Sequence, residues 1–193
     1  MHALPAAPDP APRRQVLVGT ALASAAAAAL VGGLLALWLR LRYVAVHAVD
    51  GRWVPKKVTI PMVPANVMLL ALIPICVFAQ WAVYSAKRDD KPHTALALGL
   101  VALLGLAFVN AQAFIYATLK LPANGGTFNV MFYTVTGVAV LLAVIGIMFS
   151  VATAFRYLGG RTTDRETVSA HALYWYAFSA VFTVLWLVVY VAK

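Results

Sequence analysis

The segment NVMFYTVTGVAVLLAVIGIMFSVATAF, residues 129–155, runs for 27 residues without an Asp, Glu, Lys, Arg or His. A run of this length can cross a bilayer as a helix, because about 20 apolar residues span the hydrocarbon core. A helix also pairs its backbone polar groups internally, as an environment without water requires. The segment therefore predicts a transmembrane helix.

Four further segments have the same character. The five predicted spans are, approximately, residues 16–38, 62–86, 93–119, 129–155 and 170–192. Composition agrees, since 63% of the 193 residues are hydrophobic and only 11% are charged, too few for the surface of a soluble domain. The predicted fold class is all-α, a polytopic membrane protein with one five-helix transmembrane domain over residues 15–193. Residues 1–14, which are rich in Pro and Ala, are predicted to form a disordered N-terminal tail.

The predicted spans place no Asp, Glu, Lys, Arg or His at mid-membrane depth. Proton relays, haem ligation and ion pathways use such groups inside the bilayer. Cys76 has no second cysteine with which to form a disulfide or a Cys-based metal site. We therefore expect no catalytic residue, no cofactor and no metal. His171, near the start of the last span, is expected to be solvated or to face lipid head groups.

The net charge of +9 is expected to serve lipid contact, because the cationic residues lie at the predicted helix ends. Membrane lipids are therefore expected partners, and nucleic acid is not. If the N-terminus defines one side of the membrane, eight of the 15 Lys and Arg residues lie on that side and seven on the other. The positive-inside rule accordingly leaves the orientation open.

Polar and small residues within the spans are interpreted as helix contacts. Asn110 and Gln112 are two residues apart and point to different faces, whereas Asn66 and Gln80 share one face of the second span. Each of these amide side chains can join two helices by a hydrogen bond. Small residues allow close helix approach, and this role is expected for Ala21, Gly32, Gly33, Gly99, Gly105, Gly137 and Gly146.

Aromatic residues near both ends of the last span are expected to form membrane-interface belts. Tyr174, Trp175 and Tyr176 lie at its start. Tyr190 lies roughly 21 to 24 Å further along a helix, which is most of a hydrocarbon core.

Several motifs resemble those of cytochrome c oxidase subunit III. An apolar helix that begins at Asn66 continues to Gln80-Trp81-Ala82 and a charged turn, Lys87-Arg88-Asp89-Asp90. The segment GLAFVNAQAFIY, residues 105–116, is similar to the family's helix with Gln-Ala-Tyr-Glu-Tyr. The order and spacing of these motifs carry the resemblance.

The later spans continue the resemblance. Residues 132–137, FYTVTG, are similar to the family's Phe-Tyr-x-x-Thr-Gly. The last span resembles the family's closing helix in Tyr174-Trp175, Trp186 and Val189-Tyr190. Together the motifs cover most of residues 62–193, and the first span matches only in position.

The chain departs from the family pattern where the family carries ionisable residues. Ile115 stands where the family has Glu, and residues 139–142, AVLL, replace its His-Gly-Leu-His. Tyr176 and Ser179 stand in place of a His and an Asp in the closing helix, and residues 20–29 lack the family's acid. These losses remove the ionisable groups that a proton-related contribution would use.

The resemblance implies a non-catalytic subunit of a haem-copper terminal oxidase, diverged from the family and similar to its five-helix bacterial form. It implies haem-copper oxidase catalytic subunits I and II as partners and a multi-pass location in the bacterial plasma membrane, with the N-terminus in the cytoplasm. The alternatives are an assembly factor, an accessory subunit of another respiratory complex, or a small transporter. The residues expected to contact other helices, a partner or lipid are Asn66, Trp81, Arg88, Gln112, Tyr116, Trp175, Ser179 and Tyr190.

Overall fold

The computed structural model describes residues 14–48, 51–56, 58–159 and 165–192 of the chain. Its long helices are α1 (Gln15–Val46), α2 (Met62–Lys87), α3 (Lys91–Leu119), α4 (Thr127–Leu158) and α5 (Arg165–Trp186). A π-helical turn, Leu187–Val191, continues α5. All five helices are long and apolar enough to cross a membrane, and the described residues contain no strand. The predicted five-helix all-α fold is confirmed.

The helices extend beyond most of the predicted spans. Helix α1 continues past Arg40 and Arg42, and α5 begins at Arg165, five residues before the predicted span. Hydropathy excludes these charged turns from a span, but a helix accepts them once it has left the hydrocarbon. The predicted disordered tail, residues 1–14, falls outside the described part of the chain except for Arg14.

Short turns connect α2 to α3 and α3 to α4, so these neighbours are antiparallel. Asp90 caps α3 by accepting a hydrogen bond from the backbone N–H of His93, 3.2 Å away. Helix α3 ends at Leu119 and is followed by Lys120, whose φ of 46° is left-handed. Gly126 precedes α4 with a φ of 127°, a conformation that only glycine adopts readily. The turn chemistry therefore fixes where α3 and α4 begin.

Helix α5 is central to the bundle, because it packs against α1, α2 and α4. Helix α3 packs between α2 and α4 on the other side. Helix α1 packs mainly against α5 and α4, through buried residues that include Val31, Leu35 and Trp38. The rest of its circumference is largely exposed, which makes α1 the most peripheral helix.

Both ends of α1 are held by specific contacts. Near its start, the backbone N–H of Leu17 donates to Glu166 Oε1 at 2.9 Å. Near its end, the Trp38 and Trp53 rings meet edge to face with centroids 5.0 Å apart, and Phe128 packs against both. These contacts tie α1 to the start of α5, to the α1–α2 connection and to the start of α4.

Candidate functional site

A buried polar contact joins α4 to α5. Ser150 Oγ lies 2.7 Å from His171 Nε2 and accepts the indole N–H of Trp175 at 3.1 Å. The Ser150 hydroxyl donates to the carbonyl of Gly146, 2.9 Å away. The Trp175 indole N–H also lies 3.1 Å from His171 Nε2 and is therefore shared between that nitrogen and Ser150 Oγ. His171 Nδ1 is buried without a hydrogen-bond partner among the described residues.

The expectation that His171 is solvated or faces lipid head groups is wrong. Its side chain is 0% exposed, because its spacing of four from Trp175 turns it toward α4 rather than outward. Sequence reasoning did not select Ser150. Two signals were available: the i, i+4 pair His171 and Trp175 on one helix, and a serine four residues after Gly146 on another.

Two glycines make room for the Trp175 ring. A Cβ atom on Gly146 would lie 2.8 Å from Trp175 Cζ2, and one on Gly105 would lie 2.8 Å from Ile147 Cγ1 and 3.0 Å from Trp175. The two distances of 2.8 Å are closer than carbon atoms approach, so Gly105 and Gly146 have the expected packing role. A Cβ atom added to any of four other helical glycines would meet nothing within 4 Å: Gly32, Gly33, Gly99 and Gly137. These four glycines therefore allow no close helix approach inside this bundle.

A second buried contact joins α3 to the π-helical end of the chain. Tyr190 donates to Gln112 Oε1 at 2.7 Å, and both side chains are buried. Nearby, the hydroxyls of Tyr116 and Thr136 lie 2.7 Å apart, which links α3 to α4. The Phe132 ring packs against both tyrosines, with centroid distances of 6.2 Å to Tyr116 and 6.3 Å to Tyr190. Three helices therefore share this contact.

The expectation of aromatic belts on the last helix is wrong for three of its four residues. Trp175 and Tyr190 are 0% exposed, and Tyr174 is buried with its hydroxyl donating to the carbonyl of Leu142 at 2.6 Å. Tyr176 alone is partly exposed. The central position of α5 explains the difference, because most faces of this helix meet another helix.

A third set of contacts lies on the surface where α2 meets α5. Tyr176 donates to Gln80 Oε1 at 2.7 Å, and Cys76 Sγ lies 3.3 Å from Ser179 Oγ. Thr183 donates to the carbonyl of Ser179 at 2.8 Å. An apolar groove of about 560 Å³ opens beside these contacts and is lined by Leu69, Leu70, Leu72, Ile73, Cys76, Val77, Ser179, Ala180 and Thr183.

The remaining candidates lie on α2 at a distance from the buried contacts. Asn66 and Arg88 are exposed, and Arg88 lies 4.1 Å from the centroid of the Tyr84 ring. Trp81 is half-buried beside Phe78 and His93. The structure thus brings Gln112, Tyr116 and Tyr190 together, and it leaves Asn66, Trp81 and Arg88 on α2 as three separate positions.

These arrangements offer hydrogen bonding and packing. No group of three or more His, Cys, Asp or Glu residues comes together among the residues that the structure describes. The expectation that the chain carries no catalytic residue, cofactor or metal stays a prediction.

The sequence model of the family described as cytochrome c oxidase subunit III matches residues 22–193. The chain belongs to the cytochrome c oxidase subunit III family. It is 30% identical to cytochrome c oxidase subunit 3 of Rattus norvegicus over 149 residues, which are 76% of this chain and 56% of the rat protein. It is 24% identical over 163 residues to the protein of the same name from Thermostichus vulcanus, covering 83% of this chain and 79% of that one.

A further relative is the probable cytochrome c oxidase subunit 3 of Rickettsia conorii, 26% identical over 163 residues, with 76% of this chain and 56% of the relative covered. This subunit III family member thus spans little more than half the length of the rat and Rickettsia relatives. The expected resemblance, drawn from motifs in residues 62–193, is confirmed at the level of the family.

The departures from the subunit III pattern fall at defined places in the structure. Ile115 and Ala139 are buried and apolar. Tyr176 and Ser179, which stand where the pattern has His and Asp, instead make the surface contacts with Gln80 and Cys76. At these two positions, neutral hydrogen bonds replace charged groups on the side of α5 that faces α2.

Proposed function

We propose that the chain is a non-catalytic integral membrane subunit of a haem-copper terminal oxidase and stabilises the catalytic subunit in aerobic respiration. The observation that carries the proposal is the subunit III family match, which runs from within α1 to the end of the chain. A subunit of this kind acts through its surface rather than through reacting groups. The proposed partners are catalytic subunits I and II, together with membrane lipids.

The proposed location is the bacterial plasma membrane, with the N-terminus in the cytoplasm. Relatives from Rickettsia conorii and Thermostichus vulcanus support a bacterial setting. In this orientation the Arg165–Asp89 ion pair, 2.6 Å long, lies on the cytoplasmic side, because the α2–α3 turn and the start of α5 share the side of the N-terminus.

The test is purification of the tagged full-length chain from native membranes in a mild detergent. We expect a complex with a haem absorption spectrum and a fixed ratio of haem to tagged chain. Recovery of the chain alone would overturn the proposal.

A deletion strain separates a resident subunit from an assembly factor. If the chain is a resident subunit, oxidase purified from the deletion strain should lose activity faster during storage or turnover than wild-type oxidase. If the chain is a transient assembly factor, oxidase purified from the wild-type strain should contain no stoichiometric copy of it.

A further inference from the structure

The outer face of α2 is a continuous exposed stripe along the whole helix. Its members recur every three or four residues and are all exposed: Asn66, Leu70, Ile73, Val77, Gln80, Tyr84 and Arg88. This spacing places them on one side of the helix. The middle of the stripe is apolar and borders the 560 Å³ groove between α2 and α5. Gln80 and Tyr84 lie in the last two turns of α2, and Arg88 directly follows its last residue.

The positive charge at the end of this stripe is not balanced by the adjacent turn. Asp89 is paired with Arg165 at 2.6 Å, and Asp90 with His93 at 2.7 Å. Arg88 makes its contact with the Tyr84 ring, and no carboxylate accompanies it among the described residues. An acidic group at the level of the α2–α3 turn would complement this charge.

Gln80 adds an uncommitted donor deeper in the membrane. Its Oε1 accepts the Tyr176 hydroxyl, and its side chain is exposed. The residue lies seven positions before the end of α2, about 10 Å along the helix axis. An amide N–H₂ at such a depth is costly against acyl chains and is stabilised by an acceptor on a neighbouring helix.

We propose that the outer face of α2, with the groove beside α5, is the docking surface for one transmembrane helix of the partner oxidase subunit. This helix presents a hydrogen-bond acceptor opposite Gln80 and a carboxylate near Arg88, and its apolar side chains enter the groove. The identity of the partner rests on the proposed function.

Two other occupants fit the surface less well. A lipid phosphate satisfies Arg88, but its acyl chain offers no acceptor to Gln80, about 12 Å deeper along the helix. A second copy that uses the same face around a two-fold axis normal to the membrane sets Arg88 against Arg88, which like-charge repulsion opposes. A partner helix with its own acceptor and acid avoids both problems.

Photocrosslinking distinguishes the three occupants. A benzophenone amino acid replaces Tyr84 on the proposed surface or, as the matched control, Phe114 on α3; the two aromatic side chains are 51% and 58% exposed. The probe is introduced into full-length chain in native membranes. We expect the Tyr84 probe to crosslink to a haem-bearing oxidase subunit and the Phe114 probe to give no such product. A dimer of this chain, or lipid adducts alone, at position 84 would overturn the inference.

A pair of steric variants tests the same surface. Ala180→Trp fills the groove, and Ala107→Trp adds the same bulk to the exposed side of α3; both alanines are exposed. We expect Ala180→Trp to lower the haem recovered with the tagged chain by about tenfold, since it blocks a central contact. Ala107→Trp should leave recovery unchanged. Thermal unfolding in detergent confirms that both variants fold.

A pair of polar variants tests the donor. Gln80→Leu should reduce recovered haem by about threefold, the usual effect of one interhelical hydrogen bond. Thr118→Val, at an exposed hydroxyl on α3 that already donates to the carbonyl of Phe114 at 2.8 Å, should have no effect. If wild-type chain recovers haem and neither Ala180→Trp nor Gln80→Leu reduces it, the docking surface is wrong and the proposed function stands. If wild-type chain recovers none, the proposed function itself fails.

Discussion

Two tyrosine–glutamine hydrogen bonds of equal length hold this bundle together at different places. Tyr190 donates to Gln112 and Tyr176 donates to Gln80, each at 2.7 Å. Gln112 and Tyr190 are 2% and 0% exposed, whereas Gln80 lies on the outer face of α2. The same pair of side chains is thus enclosed by helices in one region and borders an open groove in the other.

The difference separates folding from association. Breaking a buried hydrogen bond leaves a polar atom without any partner, which costs more than the bond itself contributes. At an exposed site the remaining atom can turn to a neighbouring helix. We therefore expect the free energy of unfolding to depend on the buried contacts and recovery of the oxidase to depend on the exposed ones.

The largest expected effect comes from adding volume beside Trp175. In Gly146→Val even the Cβ atom would lie 2.8 Å from Trp175 Cζ2 and 2.9 Å from Tyr174 Cε1. We expect the free energy of unfolding to fall by about 3 kcal/mol, the upper range for overpacking. It is measured by SDS titration in mixed micelles, with helicity followed by circular dichroism. Gly137→Val on the same helix is the control, because its Cβ meets nothing within 4 Å. Equal losses in both variants would contradict the packing argument.

A smaller loss in the free energy of unfolding is expected when Ser150, in the α4–α5 contact, loses its hydroxyl and little side-chain volume. Ser150→Ala removes one acceptor of the Trp175 indole and the Oγ contact of His171, while the indole N–H keeps His171 Nε2 as an acceptor at 3.1 Å. We therefore expect the loss of the Ser150 hydrogen bonds alone to lower the free energy of unfolding by about 1.5 kcal/mol in the same titration. The exposed Thr134, which donates only to its own helix at Val130, provides the control variant Thr134→Ala. A similar loss at Thr134 would mean that the hydroxyl of Ser150 acts only on its own helix.

Removing the hydroxyl oxygen of each tyrosine compares the buried and the exposed hydrogen bond directly. Tyr190→Phe should lower the free energy of unfolding by about 1 kcal/mol or slightly more, because Gln112 Oε1 stays buried. Tyr176→Phe should lower it by about 0.5 kcal/mol, typical of an interhelical hydrogen bond in a membrane protein. The same SDS titration measures both. The reverse order, or equal values, would show that burial does not distinguish the two bonds.

The fold was predictable because hydropathy is a direct physical signal. A segment such as residues 129–155 has no alternative to a spanning helix, so the five-helix class follows from the sequence. The ends of the helices were less predictable. Helix α1 continues through Arg40 and Arg42 to Val46, because a helix accepts charged residues once it has left the hydrocarbon.

The contacts were less predictable because sequence spacing gives a face but not its neighbour. The different faces of Asn110 and Gln112 followed from helix geometry, and the structure has Asn110 exposed and Gln112 buried. His171 and Tyr190 were misplaced at the membrane interface because their burial depends on α4 and α3 passing close by. For the same reason Gly105 and Gly146 could not be told from Gly32 and Gly33.

The smallest expected effect lies at the exposed turn between α2 and α3, next to Arg88. Hydrogen bonds from the side chain and backbone of His93 hold the pKa of the Asp90 carboxyl below its usual value of 3.8. Because the folded-state pKa is lowered, this stabilisation is present at neutral pH and is lost as the pH falls through the lowered pKa. Solvent screens the Asp90–His93 pair, since the side chains of His93 and Asp90 are 56% and 37% exposed.

The variant Asp90→Asn keeps a capping side chain and removes only the charge. It should therefore shift the SDS midpoint slightly at pH 7, and this shift should shrink as the pH falls and the Asp90 carboxyl becomes protonated. A shift of the same size at every pH would assign the effect to cap geometry instead of charge.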